Sequence, residues 1–408
     1  MPFVLYLLAL AVFAQGTSEF MLSGLVSDIA ADMGVSVPAA GSLTSAFAVG
    51  MIVGAPLMAV LSLRWPRRRA LLGFLVTFLL VHVVGALTTS YTVLLGTRVV
   101  GALANAGFLA VALATATTLV APDAKGRATS ILLGGTTLAC VVGVPGGALL
   151  GQLWGWRAAF WAVALISVPA VVAVAKAVPP PAPAVAATPA APSTAPPSTP
   201  ATPRTGARAE LRALRSPVLL VTLLLGALVN GATFCVFTYL EPLATHVSGI
   251  DDAWVPGLLA LFGLGSSVGV ALGGRLADTR PLPLLVGGTV ALLAGWVAFA
   301  LTAGSPVAAV VLAFTQGMLS FAVGSTLISQ ALYAATEAPT LAGGFATAAF
   351  NLGAAVGPWA GGRAIASGLG YRSPVWVGAL FVALALATAG AALLARKRLQ
   401  HRQHLQKL

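Results

Sequence analysis

Twelve apolar runs, each long enough to cross about 30 Å of hydrocarbon as a helix, restrict this chain to one kind of fold. They lie around 3–26, 38–62, 69–88, 92–120, 127–151 and 158–176, then around 217–245, 254–277, 282–303, 306–333, 341–367 and 374–396. A bilayer offers no water to backbone N–H and C=O groups, so such runs cross it as helices. Charged residues make up 8% of the 408, against roughly a quarter in a soluble domain, which excludes a water-soluble globule. The expectation is an all-α membrane protein with twelve transmembrane helices in two six-helix bundles.

Between the two sets, residues 178–206 (VPPPAPAVAATPAAPSTAPPSTPATPRTG) are too rich in Pro, Ala, Ser and Thr to build a core, and read as an extended linker. Residues 207–215 (ARAELRALR) read equally as its solvated continuation or as a short basic surface helix. The expected organisation is a bundle over 1–177, a Pro/Ala-rich linker over 178–216, a second bundle over 217–398 and a tail over 399–408. With no Lys or Arg ahead of the first run, that run reads as an uncleaved span rather than a signal peptide.

The two sets repeat. GVPGGALLGQLWGWRAAFW (143–161) and GPWAGGRAIASGLGYRSPVW (357–376) share a Gly/Pro bend, paired glycines, then an aromatic, Arg and Trp at matching intervals. Elements six spans apart have the same orientation, the parallel repeat of two halves around a central cavity. The bends at Gly143 and Pro145 and at Gly357 and Pro358 permit kinking and close helix approach, which suits halves that rock.

Basic residues set the orientation. Arg64, Arg67, Arg68, Arg69, Lys125, Arg127, Lys176, Arg204, Arg215, Arg280 and the tail from Arg396 to Lys407 fall on one side, and only Arg157 and Arg372 in loops on the other. The positive-inside rule then puts both termini and the linker in the cytoplasm, in a multi-pass cytoplasmic-membrane protein. The net charge of +12 is thereby a matter of topology, and no basic stripe with interleaved aromatics points to nucleic acid.

Glu19 is the first functional candidate. It sits in AVFAQGTSEFMLSGL (11–25), and an ionisable group within a span costs about 2.5 to 3.5 kcal/mol on insertion scales, so it usually marks an ion or substrate path. Arg98 in the fourth run lies at similar depth. Hydrocarbon favours the neutral acid and a nearby guanidinium the carboxylate, a competition suited to binding and releasing H⁺. A static salt bridge that docks the two spans is the other reading. In the repeat alignment Arg98 matches Gln316, Gln15 matches Asn230 and Glu19 matches Phe234. The second half therefore contributes neutral polar and aromatic groups, Asn230, Phe234, Phe237, Tyr239, Gln316 and Asn351, which with Gln15 and Asn105 of the first half suit an uncharged, partly apolar ligand. Glu241, just before Pro242, reads as an interfacial acid or a second titratable site. His82 reads as a hydrogen-bonded packing residue, and Cys140 and Cys235 as small hydrophobes. No phosphate-cradling loop, metal-ligand cluster or activated nucleophile stands out, so the chain is not expected to be an enzyme and no cofactor or metal is expected.

These features resemble the major facilitator superfamily, in its twelve-span drug:H⁺ antiporter branch. The resemblance rests on the twelve spans, the linker, GRLAD at 274–278 and the GVPGG and GWRAAFW blocks. AVFAQGTSEFMLSGL, GAPLMAVLSLRWPRRRALL (54–72), TRVVGALANAGFLAVAL (97–113) and LGALVNGATFCVFTYL (225–240) are similar to those of actinobacterial chloramphenicol-resistance exporters. The resemblance implies a major facilitator fold of two pseudo-symmetric bundles and proton-driven efflux of chloramphenicol by alternating access. Glu19 is carried over as the acidic site of the first span and Arg98 as the arginine of the fourth. Exporters of sugars, nucleosides or other drugs share several of these blocks, and a non-transporting receptor is the reading from another class. The implied partners are a small-molecule drug, protons and lipid, with the chain a monomer. The family's loop after the second span usually holds an Asp and a Gly where this chain has Leu63 and Pro66. Asp278 keeps the acid in the second half, so a gate resting on it is expected to be asymmetric.

Overall fold

A computed structural model describes residues 3–62, 65–121, 124–177, 214–276, 279, 281–335 and 342–405. Asp278 and nearly all of the linker lie outside them. The described residues are helical: α1 Phe3–Phe20, α2 Val26–Met33, α3 Val37–Ser62, α4 Arg67–Leu87, α5 Tyr91–Thr118, α6 Lys125–Leu138, α7 Val144–Trp154 and α8 Trp156–Ala177 in the first half. The second half holds α9 Pro217–Thr238, α10 Leu240–His246, α11 Val255–Leu276, α12 Pro281–Thr302, α13 Pro306–Ala334, α14 Ala342–Ala364 and α15 Ser373–Leu405.

Eleven candidate spans among the described residues are long and apolar enough to cross a membrane. The eleventh run, the one not among them, forms α14, a 23-residue helix whose Gly- and Ala-rich sequence is less oily and which packs on other helices. Its neighbours are α9 within its half and α3 across the interface. Small residues there let backbones approach, the usual currency of helix association in lipid.

Several runs are interrupted, three of them well ahead of their expected ends. The first breaks after Phe20 into a 3₁₀ turn, Met21–Gly24, before α2 begins. The seventh breaks at Tyr239, because Pro242 has no N–H to give to the carbonyl of Thr238. The fifth contains a π turn, Ala139–Gly143, directly ahead of Pro145, which likewise leaves a carbonyl one turn back without its donor. At the other extreme, α15 runs through the expected boundary at 398 to Leu405; its 33 residues span about 50 Å, well beyond the hydrocarbon.

One end of the bundle carries Asp28, Asp32, Asp251 and Asp252 and the other carries Arg67, Lys176, Arg215 and Arg275; these are the acidic and basic ends below. The halves meet along α3 with α14, and along α7 and the π turn with α11. At the acidic end they are fastened. Ser45 Oγ donates to the carbonyl of Ala355 (2.7 Å), and Gln152 Nε2 donates to the carbonyl of Asp252. The Tyr239 ring fills the notch that Gly41 leaves on α3, where any Cβ would collide with it. At the basic end each half has its own core, Leu5, Leu8, Leu71 and Leu132 in one and Leu219, Leu223, Ala331 and Ala346 in the other. The conformation is closed at the acidic end.

Candidate functional site

Glu19 ends α1 at the interface between the halves. It is half-buried, the next residue, Phe20, lies 5.8 Å from Phe234 of the other half, and Cys140 and Arg98 are within its electrostatic reach. No Glu19 oxygen comes within 4.0 Å of an Arg98 nitrogen.

Arg98 is held by Ser18 instead. On α5 and 2% exposed, it donates from Nη1 to Ser18 Oγ (2.9 Å) and from Nη2 to the Ser18 carbonyl (2.8 Å). Its guanidinium also lies 4.5 Å over the ring of Phe47 on α3. A buried cation is tolerable only when hydrogen bonds and induced attraction replace its water, and these three contacts supply both. The chain continues beyond Ser18. Its Oγ is 2.6 Å from His82 Nε2, and His82 Nδ1 is 2.7 Å from the carbonyl of Phe78. A carbonyl only accepts, so a neutral His82 carries its hydrogen on Nδ1 and takes the Ser18 proton at Nε2. One directed chain thus runs from Arg98 through Ser18 and His82 to Phe78.

The second half has a neutral counterpart. Gln316 on α13 is wholly buried and donates from Nε2 to the carbonyl of Leu292 on α12 (2.9 Å), while its Oε1, Trp296 Nε1 and Ser320 Oγ have no partner. Gln316, matched to Arg98 in the repeat alignment, carries no charge and bonds within its own half.

The remaining candidates divide. Phe234 lines a cavity of about 10 Å³ between the halves with Phe20, Cys140, Thr233, Phe237, Phe262, Ser266 and Phe321, room for one water. Gln15, 1% exposed, points neither amide atom at a partner. Asn105 Nδ2 is 3.6 Å from Met51 Sδ, Asn230 Nδ2 donates to the carbonyl of Phe350 (2.7 Å), and Asn351 Nδ2 to that of Thr347 (3.0 Å). Tyr239, expected among the ligand-binding residues, is sealed at the acidic end with Oη donating to the carbonyl of Pro358 (2.9 Å). Gly143 lies in the π turn against Thr17, and Gly357 rests on the backbone of Gly231, so both mark close helix approach. Pro358 is accommodated inside α14. Sequence reasoning passed over Ser18 and Phe47, although a serine beside an intramembrane acid is a signal in itself.

A larger vestibule of about 750 Å³ opens at the acidic end, lined by Ser27, Asp28, Asp32, Gln152, Arg157, Glu241 and Asp252 among others. There Arg157 pairs with Asp32 (2.5 Å), which holds that carboxyl below its usual range, and Trp156 Nε1 adds a second donor (3.1 Å).

Comparison with known proteins bears on this geometry. The model of the Major Facilitator Superfamily matches residues 8–343. A chloramphenicol resistance protein of Streptomyces lividans is 54% identical over 392 residues, covering 95% of this chain and 96% of that one. The inner membrane transport protein YdhP of Escherichia coli K12 is 34% identical over 383 residues, covering 93% of each. Among solved structures, a bacterial homologue of the human lysosomal transporter Spinster, in an inward-facing and unoccupied conformation, superposes with a TM-score of 0.75 at 18% identity, over 95% of both chains.

Proposed function

The chain belongs to the Major Facilitator Superfamily, and from that premise we propose that it exports chloramphenicol and related phenicols across the cytoplasmic membrane in exchange for protons. The observation that carries the coupling is the state of Glu19, an acid beside the interface with no ion-pair partner among the described residues, next to an arginine whose two terminal nitrogens are tethered to Ser18. A carboxyl so placed exchanges its proton according to which end of the molecule admits water, because Arg98 does not travel to neutralise it. The cargo assignment draws on the Streptomyces lividans relative, a chloramphenicol resistance protein.

In this reading both termini and the basic end face the cytoplasm, and the closed acidic end makes the conformation inward-facing. Cargo enters from the cytoplasm while Glu19 releases its proton, the halves rock, and cargo leaves at the acidic end as Glu19 is protonated again. The energetics suffice. A proton entering down about 100 mV contributes about 2.3 kcal/mol and each pH unit about 1.4, so one proton per molecule sustains a gradient of roughly a hundredfold.

The test is to express the chain in a susceptible host and compare tolerance of chloramphenicol with tolerance of unrelated drugs, sugars and nucleosides. Raised phenicol tolerance, with drug accumulation that rises on adding an uncoupler, supports the proposal. Unchanged tolerance with the protein present in the membrane would remove the cargo assignment, and efflux indifferent to the uncoupler would remove the coupling.

A further inference from the structure

Glu241 takes no part in the mechanism just described, yet it joins the two halves. It stands on α10 of the second half, 9% exposed, and its Oε2 accepts from both Ser27 Oγ (2.8 Å) and Ser27 N (3.3 Å) of α2 in the first half. Both donors go to one oxygen, so a proton on this carboxyl resides on Oε1 and leaves the Ser27 contacts whole. The charged groups around it are acids. Asp28 on α2 and Asp252 of the turn before α11 both raise the cost of a charge at Glu241. The cations and bases nearby are engaged elsewhere: Arg157 with Asp32, and His246 with Thr245 and against Tyr371. On the remaining elements packed against α10, α9 brings Cys235, bonded to the carbonyl of Pro374, α11 brings no titratable group before Arg275 in its last turn at the basic end, and the Met21–Gly24 turn brings none.

We infer that Glu241 is a second proton site, carried on the interface between the halves, and that its occupation holds the acidic end shut. A charged Glu241 is buried beside two acids with no cation, and the halves relieve this by parting; a neutral Glu241 keeps its Ser27 bonds at no such cost. The electrostatics agree, since burial lifts Glu241 from an ordinary value of 4.5 to about 7 in the closed form, and burial and Asp252 move Asp28 in the same direction. The sign follows by linkage. A carboxyl raised in the closed form and ordinary in the open one favours closure fully below its ordinary value, and that advantage fades as the pH rises through about 7. The ratio of closed to open molecules should then fall by roughly a hundredfold across that window. The inference goes beyond the proposed antiport and does not depend on Glu19: acid on the vestibule side would close that end whatever the cargo.

The test is the distance between spin labels on the full chain in nanodiscs, at Ala31→Cys on α2 and Ala253→Cys in the turn before α11, both exposed, with Cys140 and Cys235 replaced by Ala. The expected result is a mostly short distance at pH 5 and a longer population that grows as the pH rises to about 7, reduced to the short distance at every pH in Glu241→Gln. Ser27→Ala should lower the closed fraction at pH 5 while keeping the titration, and Glu19→Gln should leave the titration in place. A distance that ignores pH in the parent, a Glu241→Gln variant that titrates like the parent, or a titration lost in Glu19→Gln would overturn it.

Discussion

Arg98 gives both of its terminal nitrogens to Ser18, one residue short of Glu19, and leaves the carboxylate without an ion pair. The two hydrogen bonds, one to the side chain and one to the backbone of Ser18, fix the guanidinium to α1, and Phe47 covers its face from α3. The arginine is thereby a tethered source of positive potential near an acid that no ion pair engages among the described residues.

Replacing Arg98 by Lys should test that geometry. Lysine keeps the charge but has no planar fork to reach Ser18 Oγ and the Ser18 carbonyl together, and it stacks less well on Phe47. Transport by the variant should fall by at least tenfold, with a loss of about 1–3 kcal/mol in thermal stability measured by fluorescence-detected melting in detergent. Transport near the parent rate would show that charge alone matters.

Ser18→Ala removes the link between Arg98 and His82. His82 Nε2 then has no donor and Arg98 Nη1 no side-chain acceptor, a cost of about 1–3 kcal/mol for groups this buried. The pH profile of drug efflux should shift, because the Arg98 guanidinium loses its side-chain tether and keeps only the backbone carbonyl and Phe47, whereas Ser18→Thr should keep the parent profile. An unshifted profile in the alanine variant would show that Ser18 only packs. In the parent, ¹⁵N NMR of the His82 ring should report hydrogen on Nδ1.

At the acidic end, Asp32 and Arg157 are 44% and 32% exposed, so water screens their pair and Asp32→Asn should cost about 1 kcal/mol or less. Because Arg157 holds the Asp32 carboxyl below its ordinary 3.8, the contribution is fully present above that value and is lost as the pH falls below it. Melting temperatures of parent and variant should differ slightly at pH 7 and converge towards pH 3.

Gly41→Val should act on closure. Its side chain would occupy the volume of the Tyr239 ring, so the acidic end should be held open and a cysteine placed at Thr245, in the vestibule, should react faster with a water-soluble thiol reagent. A reaction rate equal to that of the same cysteine in the parent would show that Tyr239 does not fasten the halves.

The membrane architecture was legible because oil-length runs and their flanking arginines are local features, and hydropathy reads them one run at a time. The break after Phe20 was not, since no proline announces it and it sits where helices pack across the interface; Gly24, for instance, lies against Ala148 and Leu259. Pro145 did announce the π turn, as a missing N–H is written in the residue itself. Glu19 and Arg98 were matched in depth from helix rise alone. Which acceptor the guanidinium takes was hidden, because the winning acceptors include a backbone carbonyl, and every residue has one. Tyr239 and Gln316 read as ligand contacts from polarity in a span, which is visible in sequence where direction is not; Tyr239 packs on Gly41 across the interface and Gln316 bonds inside its own half.

The central claim is tested most directly by flux measurements in proteoliposomes holding the parent chain or Glu19→Gln, with an imposed pH gradient and labelled chloramphenicol. The account predicts uphill drug movement with a matching proton flux in the parent, and in the variant correct insertion and downhill exchange of drug but neither uphill movement nor proton flux. Uphill movement driven by the gradient in Glu19→Gln would contradict it.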